Sequence, residues 1–527
     1  MSFKYLNKTL LINYDFLSTL ATPTRVFLGR RLIAAPRFLF KAGYPGAIGL
    51  IIATNRYTHR FADSRSHGSM HMIRALRSLP RFTLRRARNL WYRYGIFWVG
   101  AIAVGLVAVL YARLIDWGYN AFRAVQHDHV WLPLILTPAV AAISVWLTRK
   151  FFRGSEGSGI PQVIAVLHSP PGLGTRLLSP AILIAKMGIS FIAILGGFTI
   201  GREGPTVQVG AALMYNLRRL FPRSNARIER QLVLAGAAAG LSAAFNTPLA
   251  GIVFAIEELT RSFEARTSGV LITGIILAGI VALGLNGNYT YFGTIDVDAH
   301  FPSLLAVAVV ITAIVTGVAG GAFCWLLLNT SKWIPARLRE MHATRPVVFA
   351  TFCGLIIAVV GLVSGGTTFG SGYAEARGLL EGHEHLSALY PLLKMVSMIG
   401  SYLPGIPGGI FAPSLSIGAG FGNVLHMVFS HMQLSMLIAL GMVGYLAAVT
   451  QSPIMSFVIV MEMINGHALV ISLMATALIA SRVSRLFSPP LYEALAERYM
   501  TPLPSPVPRA SPELPETPVE DEEPVTK

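Results

Sequence analysis

Charge is scarce in this chain: Asp, Glu, Lys and Arg make up 13% of 527 residues, while 53% are hydrophobic and the mean hydropathy is +0.58. A water-soluble globular domain carries about 25% charged residues, so that class is excluded at the outset. Cysteine is nearly absent. Cys324 and Cys353 lie in separate apolar segments, where they are expected to pack as small hydrophobes and not to form a disulfide framework. No Gly-x-x-x-x-Gly-Lys-Ser/Thr run exists, which argues against a nucleotide-driven pump. Nor is there a His-Glu-x-x-His helix motif. His383-Glu384-His385 lacks the spacing that puts two ligands on one helix face and reads as a polar loop, so neither a metal-dependent hydrolase nor any cofactor is expected.

What the chain has instead is long apolar sequence, in about ten to twelve stretches. Examples are 95–111, 132–147, 271–285, 304–328, 347–363, 434–464 and 468–479. Many are interrupted by Gly or Pro. Irregular backbone at membrane depth survives only where it is buried in protein or lines a cavity, so broken helices point to a solute pathway. A polytopic membrane protein in contact with membrane lipids is therefore expected.

The net charge of +18 misleads about this core. Residues 1–90 hold 16 Lys and Arg against only Asp15 and Asp63, a net of +14, which leaves +4 for everything after. The basic segment carries no nucleic-acid-binding motif, and a nucleic-acid partner is not expected. It reads as a cytoplasmic extension that orients the first span by the positive-inside rule. Arg74-Ala-Leu-Arg77 and Arg81-Phe-Thr-Leu-Arg85-Arg86 suit an amphipathic helix on anionic lipid, and Met70 and Met72 each offer an alternative start of translation. Residues 501–527 are rich in Pro and acid and read as a disordered tail.

Within the apolar sequence, Gly201-Arg202-Glu203-Gly204-Pro205 places a carboxylate and a cation after the run 181–200, which only Lys186 interrupts. An ionisable residue in such surroundings is a functional-site hypothesis by default. The glycines let backbone amides approach a ligand, and Pro205 suits the first turn of a helix. A helix N-terminus attracts anions, so Glu203 stands where an anion would bind. The arrangement suggests a gate that is itself an anion.

The chain also repeats itself. A shift of 208 residues aligns Lys186-Met187 with Lys394-Met395, Gly201 to Pro205 with Gly409 to Pro413, and Gly210 with Gly418. A shift of 205 pairs Pro248 with Pro453 and Glu257 with Glu462. Gly157-Ser158-Gly159 has a looser counterpart in Gly370-Ser371-Gly372. Repeats of this kind mark transporters whose sites form between two halves built from broken helices, here about 91–285 and 300–500. The sequence does not give the orientation of the repeat.

Three further motifs surround the first. Gly157-Ser158-Gly159-Ile160-Pro161 offers a hydroxyl able to donate to an anion without trapping it, although an isolated Gly-Ser-Gly is more often a cap or turn. Gly405-Ile-Pro-Gly408-Gly409-Ile410-Phe411-Ala-Pro413-Ser414 supplies backbone amides, at Ile410 and Phe411, in place of acidic chemistry. Pro489-Pro490-Leu491-Tyr492 ends the last apolar segment, where Tyr492 provides a phenol or an interfacial anchor.

Together these motifs resemble the CLC family of chloride channels and proton-coupled chloride transporters over roughly residues 91–500. The resemblance implies an all-α polytopic membrane protein over those residues, a homodimer in which each subunit has its own pathway between two inverted-topology repeats of tilted, broken helices. It implies chloride bound by the hydroxyls of Ser158 and Tyr492 and the amides of Ile410 and Phe411. Gly157, Gly159, Ile160, Pro161, Gly201, Arg202, Gly204, Pro205, Gly408, Gly409 and Pro413 would shape the selectivity loops. Glu203 matches the gating glutamate. Gln162 departs from the Glu that many members carry there, which alters local electrostatics without touching the ion contacts.

Adjacent residues on a helix point about 100° apart, so Glu257 and Glu258 need not share a role. Spacing alone leaves open that both cap a span at the aqueous edge. By resemblance, Glu258 matches the internal proton-transfer glutamate of the exchangers, which favours chloride/proton antiport over a passive voltage- or pH-gated channel. Glu257 and Glu462, at equivalent repeat positions, read as structural. Ser158 and the Gly-Arg-Glu-Gly-Pro form argue for chloride over fluoride; nitrate stays open. A bacterial inner membrane, with both termini cytoplasmic, is the expected location.

Overall fold

The computed structural model describes residues 91–500 apart from 171, 222–224, 262–268, 288–289, 296–303 and 385. The expectations for the basic extension 1–90, for the tail 501–527 and for His385 lie outside these residues. Among the described residues the structure is helical throughout, and one isolated antiparallel bridge, Gly201 to Gly409, is its only β pairing.

The first half comprises α1 (Ile96–Asp128), α2 (Pro133–Phe151), α3 (Ile160–His168), α4 (Pro180–Leu195), α5 (Glu203–Asn216), α6 (Ala226–Phe245), α7 (Pro248–Phe254) and α8 (Gly269–Asn286). The second half repeats the series: α9 (Leu305–Leu328), α10 (Pro346–Val363), α11 (Tyr373–Leu380), α12 (Tyr390–Tyr402), α13 (Phe411–His426), α14 (Leu434–Thr450), α15 (Pro453–Ile464) and α16 (Val470–Ser484). A final helix, α17 (Leu491–Met500), follows. Packing repeats as well. α5 lies on α6 as α13 lies on α14, and α1 on α8 as α9 on α16.

Among the described residues, seven helices are long and apolar enough to cross a membrane. The apolar sequence does not map onto them one to one. The stretch 434–464 breaks into α14 and α15, because Gln451 adopts a left-handed φ of 58° and Pro453 can only start a helix. Conversely, the stretch beginning at Gly95 runs on to Asp128, carrying Arg113, Asp116 and Arg123 as a helix of 33 residues.

Small residues decide which helices approach most closely. A Cβ on Gly210 of α5 would fall 2.3 Å from the Gly236 carbonyl of α6, and one on Gly236 would fall 2.3 Å from the Gly210 carbonyl. Gly418 and Gly441 repeat this contact between α13 and α14, at 2.4 and 2.2 Å. No side chain fits at these crossings, which is how membrane helices gain contact when hydrocarbon offers no hydrophobic drive for association. α14 is buried from Met436 to Thr450 and forms the centre of the larger core. The outer faces keep large apolar side chains exposed, among them Leu110, Ile135, Ile280, Val359 and Ile471, as a lipid-facing wall requires. The chain is an integral, multi-pass membrane protein.

The two halves meet through equivalent residues. Gly201 donates to the Gly409 carbonyl at 2.7 Å and Gly409 donates to the Gly201 carbonyl at 2.8 Å. A residue and its repeat equivalent can exchange both bonds only about a local two-fold axis. That axis turns the N-termini of α5 and α13 toward each other, as the expected inverted-topology repeats require.

Candidate functional site

Each half delivers two loops to the centre, and a buried lysine holds one of them in each. Lys186 of α4 donates to the carbonyls of Ser155 at 2.9 Å and Gly157 at 2.7 Å. Lys394 of α12 donates to Thr368 at 3.0 Å and to Phe369 and Gly370 at 3.1 Å. Both ammonium groups thus tie down the approach to a Gly-Ser-Gly turn, whose last glycine, Gly159 or Gly372, caps the following helix in the left-handed region. The loops of the two halves interlock further through the Gly408 amide, which donates to the Gly157 carbonyl at 3.0 Å.

Glu203 is the first residue of α5 and is buried. Its carboxylate faces the Glu203 and Ala412 backbone amides, and so lies between the N-termini of α5 and α13. Both termini attract anions, and here a side chain answers them. Oε1 accepts from the Tyr291 hydroxyl at 3.3 Å, whereas Oε2 has no hydrogen-bond partner. A Cβ on Gly201 would fall 2.2 Å from Oε2, so glycine is required for the carboxylate to fold back against its own loop. Arg202 does not pair with Glu203. It turns outward to Asp116 of α1 at 2.7 Å, and also donates to the Ala112 carbonyl at 3.1 Å.

Ser158 is fully buried and its Oγ has no hydrogen-bond partner, so the helix-cap alternative does not describe it. A Cβ on Gly204 would fall 2.3 Å from that Oγ, which puts the hydroxyl against the start of α5. Tyr492 is also buried, stacks on Phe411 with ring centroids 6.0 Å apart, and has an unpartnered hydroxyl. An interfacial anchor would be half exposed; this tyrosine is not one. The first backbone bond of α13 runs from the Ser414 amide to the Ile410 carbonyl, so the amides of Ile410 and Phe411 precede its hydrogen-bond ladder. Two orphan hydroxyls and a helix N-terminus therefore converge. A buried polar group without a protein partner costs about 1–3 kcal/mol, which a ligand within reach of both hydroxyls would relieve.

Glu257 and Glu258 separate as their spacing allows. Glu257 accepts from the amides of Ile454 at 3.1 Å and Met455 at 2.5 Å, capping α15. Its repeat equivalent Glu462 accepts from Leu249 at 3.2 Å and Ala250 at 2.7 Å, capping α7. Glu258 caps nothing. It is buried within a π-helical turn, Ala255–Thr260, accepts from the Ser452 hydroxyl through Oε2, and leaves Oε1 unpartnered. It lies within electrostatic reach of the Tyr492 hydroxyl. Gln162 donates from one amide nitrogen to the Glu156 carbonyl at 2.6 Å and to the Tyr499 hydroxyl at 3.1 Å. The amide at this position holds the turn before Ser158.

Two cavities open on these loops. One, of about 530 Å³, is lined by Glu156, Gly157, Arg339, Tyr402, Arg498 and Tyr499. Another, of about 350 Å³, is lined by Arg113, Asp116, Arg202, Tyr291, Tyr373 and Arg377. Sequence reading missed Asp116, Ser452 and Tyr291. Asp116 carried a signal, an acid within an apolar run; the other two carried none, since only the fold brings them to Glu258 and Glu203.

Comparison with known proteins gives the family and the fold. The family model for voltage gated chloride channels matches residues 140–485. The H(+)/Cl(-) exchange transporter ClcA of Salmonella typhi is 29% identical over 414 residues, covering 75% of this chain and 86% of its own length. Its counterpart in Salmonella arizonae is 28% identical over 412 residues, with the same coverage. The solved structure of a slow cyanobacterial Cl⁻/H⁺ antiporter superposes with a TM-score of 0.65 at 24% identity, covering 77% of this chain and 98% of that one.

Proposed function

Because this chain belongs to the voltage gated chloride channel family, we propose that it exchanges chloride for protons across a membrane. The observation that carries the reading is the Glu203 carboxylate lodged between two helix N-termini, beside the unpartnered hydroxyls of Ser158 and Tyr492. Chloride entering this region sheds water. The hydroxyls of Ser158 and Tyr492 and the amides of Ile410 and Phe411 replace that hydration with dipoles, which bind moderately and release, where a full positive charge would trap the ion. Gly157, Gly159, Ile160, Pro161, Gly201, Gly204, Pro205, Gly408, Gly409 and Pro413 set the loop shapes that aim these groups.

Glu203 is the gate. Charged, it fills an anion position itself; protonated, it loses its attraction to the helix ends and swings aside for chloride. One side chain thereby carries a proton and admits an anion. Glu258 passes protons to it from the cytoplasmic side, on a branch that avoids the chloride contacts. The driving force is the two ion gradients. The relatives' exchange activity and bacterial origin support the same activity in a bacterial inner membrane. The basic extension sets the N-terminus in the cytoplasm by the positive-inside rule, the C-terminus lies on the same side, and the assembly is a homodimer with one pathway per subunit.

The test is purified protein in liposomes, with chloride and proton fluxes recorded together. A chloride gradient should drive protons uphill. Chloride flux with no proton flux would replace this reading with a passive channel.

A further inference from the structure

We propose that Tyr291 is a latch that holds the gating carboxylate shut from the outer side, an inference that rests on the gate role given to Glu203 above. Tyr291 follows α8 in a loop whose backbone is pinned to the end of α15: Phe292 donates to the Met463 carbonyl at 3.0 Å and Ile295 to the Ile464 carbonyl at 3.1 Å. Its ring is clamped edge-on by Phe245 at 5.4 Å, Phe292 at 4.9 Å and Tyr373 at 4.8 Å. The Tyr373 hydroxyl donates to the Tyr291 carbonyl at 2.8 Å, fixing the backbone as well. The Arg202 guanidinium, itself anchored on Asp116, lies 5.9 Å from the ring centre. With ring and backbone held in this way, the phenol donates to the Glu203 carboxylate at 3.3 Å.

The placement matters because Tyr291 lines the 350 Å³ cavity while its hydroxyl reaches the gate. It stands between the gate and that cavity. Tyr291 acts on the gate by holding its carboxylate through this hydrogen bond and supplies no ligand to the anion; it is a positioning residue. Its bond to Glu203 is long, 3.3 Å against about 2.7–2.8 Å for a typical hydroxyl donor. A long bond suits a latch that must release in every cycle. Removing it favours the open gate and leaves the ring packing in place.

The experiment compares Tyr291→Phe in the native chain and in the Glu203→Ala background. Chloride turnover in liposomes and chloride binding by calorimetry in detergent are both measured. In the native chain, Tyr291→Phe should raise turnover about tenfold and tighten chloride binding by a similar factor, the scale of one weak hydrogen bond to a charged group. With Glu203 replaced by Ala, the second substitution should change neither quantity. Equal effects in both backgrounds, or no effect in the native chain by either measurement, would overturn the latch. Proton-coupled transport surviving in Glu203→Ala alone would instead overturn the gate assignment, a separate result.

Discussion

Glu257 and Glu462 cap each other's partner helices: Glu257 accepts from Ile454 and Met455 at the start of α15, and Glu462 accepts from Leu249 and Ala250 at the start of α7. A shift of 205 residues converts one set of contacts into the other. The pair staples the two halves by exchanging carboxylates between equivalent helix N-termini, where negative charge is stabilising. Glu258, one residue along, is released from this work and turned inward.

Glu258→Gln should therefore stop proton transport and preserve chloride movement, with thermal stability retained. Glu257→Gln is the control. It keeps one acceptor and loses the charge, so it should cost about 0.5–2 kcal/mol of stability, as other N-terminal caps do, and keep proton flux. Coupled-flux recordings and melting curves of both variants check this. Loss of proton flux in Glu257→Gln but not in Glu258→Gln would reverse the assignment.

Glu203→Gln or Glu203→Ala should abolish proton coupling and leave anion movement, because a neutral side chain cannot cycle between charged and protonated forms. Proton uptake driven by chloride at the native level in either variant would refute the gate.

Ser158→Ala and Tyr492→Phe should each weaken chloride binding by about 1.5–3 kcal/mol before any compensation by water or backbone. Neither hydroxyl is held by another protein group within hydrogen-bond geometry, although the two lie close to each other, so melting temperatures should change little. Unchanged affinity of the double variant by titration calorimetry would count against this site.

Gln162→Glu should destabilise the chain. Its amide donates to the Glu156 carbonyl and the Tyr499 hydroxyl, and a carboxylate would set oxygen against the carbonyl. One lost hydrogen bond and one buried acceptor left without a donor cost about 1–3 kcal/mol, visible as a lowered melting temperature. A melting temperature at or above that of the native chain would show that the amide does not hold the turn.

The sequence by itself determined the membrane character, through its scarcity of charge, and the two halves, through repeat matches at fixed shifts. It also marked Glu203 and Ser158, because a carboxylate and a glycine-framed hydroxyl stand out from apolar surroundings in any fold. Only the tertiary structure decided what depends on distance between segments. The length of α1 and the break between α14 and α15 follow from packing and from one left-handed residue, Gln451, and hydropathy sees neither. Which of Glu257 and Glu258 is a cap depends on helix starts some 200 residues away. Tyr291 belongs to the gate because a loop is pinned to α15 across the molecule. The inverted orientation of the repeats belongs to this second class as well. Identical matches along the chain arise whichever way the halves face, and the two-fold relation appears only once folding brings Gly201 against Gly409 and lets Glu257 and Glu462 exchange caps.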